Sequence, residues 1–355
     1  MQSIYQFDQS YIKTLIKKTE RKLARTICSK ERQNLQEEIA LFKNFLLGNY
    51  EGLEISSPPL PKDLTKAKNQ ILSNMRRIYK ILGEDTINWL FKLEQDRLFQ
   101  GFESSSDKKI NLPSQVLLTE ENYKRISPTL YKQIKRLLRV ESGKIQETTS
   151  LESSSYCHHV IVTDEPILII NPNESPSILN HEIEHAAEIL LKYIANYYYQ
   201  ELGPLYMEHH FLERLYEQQG FLSEGDYGHR FQNIDDYLED ANAYLRLISL
   251  FKERNFSAST DEFIKIISDY ETLSEEQVLP YIYEQCIGTD EDESLMYILS
   301  YLKSLELYDE SANFQDDHIK LLRPDISQLT ARFKPPQEGY KVYEKYITKM
   351  QTMTK

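Results

Sequence analysis

Apolar residues recur at intervals of three and four along most of this chain, the period of α-helices that bury one face. Residues 8–48 read as two such helices, broken near Cys28-Ser29 and ending at Gly48. Pro58, Pro59 and Pro61 stop the pattern and restart it. A third helix runs from about Leu64 to Gly83, and a fourth covers 85–100 before Gly101, the residue type that commonly follows a helix. Ile87, Leu90, Phe91 and Leu98 form the stripe of the fourth, with Glu94 intruding where an apolar residue is expected. Residues 102–114 are polar and serine-rich, as in a linker, and 122–140 read as helix with a break at Pro128. Residues 141–155 contain scarcely an apolar side chain, which suits a flexible loop or a boundary. Beyond residue 200 the helical period returns at 204–219, 234–254, 261–270, 274–286 and 290–307.

One stretch departs from this period. Cys157-His158-His159-Val160-Ile161-Val162-Thr163 and Ile167-Leu168-Ile169-Ile170 are rich in β-branched residues and flank Asp164-Glu165-Pro166, the pattern of a hairpin. Turn formers from Asn173 to Pro176 follow, and a helix is entered near Ser177. Its apolar stripe is Ile183, Ala186, Ala187, Leu190, Leu191 and Ile194, while His181, His185 and Glu188 occupy another face.

That helix carries His181-Glu182-Ile183-Glu184-His185, an H-E-x-x-H pattern. Residues four apart on a helix are neighbours, so both imidazoles can reach one ion. Two imidazoles suit zinc, and a zinc ion lowers the pKa of a coordinated water to about 7, which the carboxylate of Glu182 can then deprotonate. The chemistry encoded is hydrolysis.

On these residues, from Tyr156 to Tyr197, the chain resembles the zincin metallopeptidases, in which a small sheet borders the H-E-x-x-H helix. The hydrophobic strand ending in Asn171-Pro172 is similar to that of bacterial effector or toxin metallopeptidases. The resemblance implies zinc as cofactor, His181 and His185 as ligands, and Glu182 as general base. In the gluzincin branch the third ligand is a glutamate on a later helix followed by small residues, which points to Glu239 with Ala241 and Ala243. The helical wheel objects: Ile234, Leu238, Ala241, Leu245 and Ile248 form the apolar stripe, and Glu239 lies off it. Asp236 with Asp240, Asp226, and the pair His209 and His210 are the other candidates. Tyr227 and His229, between the two helices, are candidates for binding substrate or the tetrahedral oxyanion. On a strand His158 and His159 face opposite sides, so at most one of them can look into a cleft.

Composition narrows the setting. With 355 residues, 40% of them hydrophobic, the chain can form one large or two ordinary domains around a packed core. A formal charge of −13 argues against a nucleic-acid-binding surface. Residues 1–32 are the local exception, with eight Lys/Arg against three acids. The default reading of that run is a solvated face. Cys28, Cys157 and Cys286 are odd in number and scattered, as in reduced thiols rather than a disulfide framework. No signal-peptide pattern opens the chain and no run of 18 apolar residues occurs, so the expected setting is the cytoplasm, or secretion without a cleaved signal, including delivery into a host cell.

The expectation is therefore a mostly α protein with a zincin-like core: an N-terminal helical region (1–113), then a metallopeptidase domain (114–355) with a small hairpin or sheet beside the H-E-x-x-H helix and a helical C-terminal half. It acts as a zinc metalloprotease on a protein or peptide substrate, with an extended substrate paired to the strand 167–170. Two rival readings stand beside it: a zinc hydrolase of another class, and a helical interaction protein whose histidines bind no metal. Oligomeric state is not encoded in any pattern found.

Overall fold

The structure is a computed structural model that describes residues 6–50, 64–96, 111–148, 154–171, 173–191, 201–220, 222, 224–271, 290–310 and 336–353. The expected helix at 274–286, the prolines at 58, 59 and 61, Gly101 and the linker residues 102–110 lie outside these.

The described residues are mostly helical with one small sheet. Helices α1 (Gln9–Leu23) and α2 (Ser29–Leu46) form a hairpin that breaks at Cys28, as its sequence predicts. Helix α3 (Leu64–Asp96) merges two helices across Gly83, whose φ of 74° lies in the region open to glycine. Glu94, the acid in its apolar stripe, accepts hydrogen bonds from Asn242 and Arg246 and so ties α3 to a later helix. Then come α4 (Leu112–Ile126), capped by Asn111, and α5 (Pro128–Ile134), which restarts at Pro128.

The sheet has strands β1 (Ile145–Glu147), β2 (Tyr156–Val160) and β3 (Glu165–Ile170), in the order β1-β3-β2. The hairpin is present: β2 and β3 are antiparallel, with Cys157 opposite Leu168 and a turn through Asp164 at φ 57°. Strand β1 was not expected, because 141–155 reads as a loop. Ile145 and its neighbours pair in parallel with Leu168 to Ile170 and complete the sheet. This corrects the expected substrate strand as well. Both edges of β3 are occupied, so 167–170 offers no free backbone, and the open edge of the described sheet on the hairpin side belongs to β2.

Alternation along the sheet divides two cores. Val160, Ile167 and Ile169 face the α1–α2 hairpin, packing with Ile12, Leu15, Phe42 and Phe45. Leu168 and Ile170 face the other way, into a larger core with α6 (Pro176–Leu190) and the helices that follow. These are α7 (Leu202–Gln219), α8 (Glu224–Lys252), α9 (Thr260–Glu271), α10 (Asp290–Glu310) and α11 (Pro336–Met353). Helix α7 packs on α6 and on α10, and α10 in turn packs on α8. Helix α3, from the expected N-terminal region, lies against α8 and α9 and shares this core; Trp89 is buried in it. No described helix is long and apolar enough to cross a membrane.

Candidate metal centre

Helix α6 starts at Pro176 behind a Ser175 cap, and its stripe Leu179, Ile183, Ala186 and Ala187 is fully buried. This anchors one face and fixes the azimuth of the rest. His181 and His185 then project from adjacent turns towards the start of α7, where Glu201 occupies the N-cap position. Gly203 lets the two helices approach. A Cβ there would stand 3.0 Å from Glu188 Oε1 and 3.4 Å from Glu184 Cγ, so a side chain would crowd these two glutamates and make them shift by a few tenths of an ångström.

Three atoms converge. His181 Nε2 lies 3.2 Å from His185 Nε2, 3.0 Å separates His181 Nε2 from Glu201 Oε2, and 3.4 Å separates His185 Nε2 from the same oxygen. For a tetrahedral centre with bonds of 2.0–2.1 Å, ligand atoms should be roughly 3.3–3.4 Å apart. The triangle has nearly that size, and its donors, two imidazoles and one carboxylate, are those zinc prefers in an open site. The residues present fit the ion.

The outer nitrogens are also engaged. His181 Nδ1 is 2.5 Å from Glu208 Oε1, and Ser177 Oγ donates to the other oxygen of Glu208 at 3.4 Å. A proton held on Nδ1 by Glu208 leaves Nε2 as the bare acceptor that a metal needs. His185 Nδ1 faces Glu188 Oε2 at 3.9 Å. Glu201 and Glu208 are seven residues apart, two turns on one face of α7.

The electrostatics call for positive charge here. Burial alone would lower the pKa of His181, but Glu208 and Glu201 outweigh it and raise it to about 9. The same contest raises His185, with Glu201 the largest opposing influence, and holds Glu201 well below the usual carboxylate range. Glu182 is pushed up chiefly by burial, against the pull of His181 and His185. The backbone N–H of Cys157 faces Glu182 and acts in the lowering direction, the smallest of these influences. Leu168 N–H is directed to Lys144 O on the β1 side, so Cys157 and Leu168 form a non-hydrogen-bonded pair and the Cys157 N–H points out of the free edge of β2. Glu182 therefore sits beside that edge.

The other candidates lie elsewhere. Glu239 and Asp240 are exposed on α8, as is Asp236, and Glu239 is absent from the group formed around His181 and His185. The wheel already carried the reason: Ile234, Leu238, Ala241, Leu245 and Ile248 are all buried, which turns Glu239 to solvent. Tyr227, His229 and Asp226 fall in the first turns of α8, and their side chains lie outside the described residues. His209 and His210 are buried on the side of α7 that faces α10 and α11: His209 is bonded to Tyr346 and Ser304, and His210 packs against Tyr206 and Tyr308. His158 turns to Glu38 at 3.7 Å on the hairpin side, and His159 is exposed beside Asp164. Sequence reasoning missed Glu201 and Glu208. A pair of acids two turns apart around a Gly-Pro helix start was the available signal, but the chain has 55 acidic residues from which to choose.

No family model matches the chain, and no curated protein matches it by sequence. Three solved structures are similar to it. One, assigned as an oligoendopeptidase F, is 15% identical over 90% of this chain, with a TM-score of 0.44. A second structure so assigned, from Bacillus anthracis str. Ames, is 15% identical over 98% of this chain, with a TM-score of 0.41. The third is PZ peptidase A with an inhibitor, 13% identical over 97% of this chain, with a TM-score of 0.46. The chain spans 65%, 69% and 71% of the length of these structures respectively.

Proposed function

We propose that the protein is a zinc-dependent peptidase whose metal is held by His181, His185 and Glu201. The observation that carries the reading is the triangle of His181 Nε2, His185 Nε2 and Glu201 Oε2, whose edges of 3.0–3.4 Å match tetrahedral coordination, with Glu182 next to it in sequence and buried. When bound, the ion supplies Lewis acidity, making water acidic near neutral pH and polarising a carbonyl. Glu182 takes the proton from the attacking water and passes it to the leaving amine; its upward-shifted pKa suits a group that must both accept and return a proton. Glu208 and Glu188 hold the imidazoles in register. An extended substrate pairs with the outer edge of β2 through the outward backbone groups of His159.

The test pairs two measurements. Elemental analysis of the purified protein is expected to give about one zinc per chain, and Glu182→Gln is expected to keep the metal while new peptide ends no longer form in a treated lysate. Metal-free protein whose stability ignores chelator would support an interaction protein instead. Turnover of a non-peptide ester or amide alone would support a hydrolase of another class.

A further inference from the structure

The α1–α2 hairpin carries a charge pattern unlike the rest of the molecule. Residues 1–32 hold a formal +5, which leaves −18 for residues 33–355. On α1 the buried positions are Ile12, Leu15, Ile16 and Thr19, and the opposite face presents Lys13, Lys17, Lys18, Arg21 and, just past the helix, Arg25, all exposed. None of these five is ion-paired with an acid among the described residues; the pair that does form on this hairpin is Lys22 with Glu31 at 3.2 Å. At the apex between the helices stands Ile27, 96% exposed, flanked by Arg25 and Lys30. The turn that displays it is built: Arg32 donates to the carbonyls of Leu23 and Thr26 at 3.0 and 2.9 Å.

We propose that this apex and the outer face of α1 dock the protein on an anionic lipid bilayer. Basic residues gain free energy near anionic headgroups, within a Debye length of the surface. An isoleucine at the tip gains further by entering the boundary between headgroups and acyl chains. The apolar tip favours lipid over nucleic acid, and so does the absence of any aromatic among the exposed large apolar side chains of the described residues, which leaves no platform for stacking bases. The hairpin covers the face of the sheet opposite α6, so docking leaves the metal centre on the other side of the strands. The proposal is independent of the peptidase reading: zinc-free or Glu182→Gln protein should dock equally well.

The experiment is flotation of the full-length protein with vesicles of phosphatidylcholine alone or with phosphatidylserine added. Binding is expected with phosphatidylserine only, falling steeply as salt rises. Lys17→Glu with Arg21→Glu should weaken it by roughly tenfold or more, the neutral Gln pair should weaken it less, and Ile27→Asp should weaken it with circular dichroism unchanged. No association with anionic vesicles overturns the proposal. So does equal binding by these variants, or capture of a polyuridylate RNA probe without capture of vesicles.

Discussion

Helix α7 has a buried histidine cluster on each of two faces, and the two behave oppositely. Towards α6, His181 meets the carboxylates of Glu208 and Glu201 and its pKa rises to about 9. Towards α10 and α11, His209 meets the hydroxyls of Tyr346 and Ser304, and burial, helped by Lys349, pushes its pKa down to about 3. Burial acts the same way on both rings. The partners decide: carboxylates attract a proton or a metal, whereas neutral hydroxyls leave the desolvation penalty unopposed. One face of the helix thus draws positive charge onto its histidines, and the other keeps its histidine neutral.

The sharpest break in this comparison is Glu201→Gln, which removes the carboxylate shared by both imidazoles. Zinc affinity, read by competition with a chelator, should fall by at least about a hundredfold, more than loss of an outer partner. The matched change Glu239→Gln, on an exposed α8 residue, should leave it unaltered; a loss there equal to that of Glu201→Gln would reinstate Glu239. Next is Glu208→Gln, expected to weaken zinc binding by about ten- to a hundredfold with the fold retained, because His181 Nδ1 loses its charged partner.

The neutral face is tested by acid. Folded His209 binds a proton only near pH 3, whereas the unfolded chain binds it below about 6.5, so the unfolded state gains protons first and stability falls as pH drops through that window. Urea midpoints between pH 6.5 and 4 should therefore decline more steeply for the wild type than for His209→Gln. The smallest expected effect is Tyr346→Phe, which deletes the 2.8 Å hydrogen bond to His209 Nδ1 and should cost about 1 kcal/mol in equilibrium unfolding.

Much of the fold is legible without coordinates where local chemistry decides. The break at Cys28, the stop at Gly83, the restart at Pro128 and the β2–β3 hairpin follow from turn and cap residues acting on their own neighbours. Strand β1 was not legible. Ile145 to Glu147 is too short to show a period, and it is a strand because β3 offers an unpaired edge. The site divides in the same way. His181, Glu182 and His185 are set by four residues of helical spacing, but Glu201 and Glu208 sit on a separate helix and carry no local mark among so many acids. The apolar stripe on α8 spoke against Glu239, the preferred third ligand by resemblance, since a stripe fixes which way the other side chains of its helix turn, and Glu239 is exposed.

By itself, then, the sequence determined the mostly helical class, several helix breaks, the hairpin and which two imidazoles share a face with a carboxylate between them, because each depends on residues within a turn or two of one another. Only the tertiary structure decided which acid closes the group, which strand keeps a free edge, and which buried histidines meet charge rather than hydroxyls. Those outcomes depend on which elements pack together, α7 on α6, β1 on β3 and α10 on α7, and no local pattern along the chain encodes such pairings.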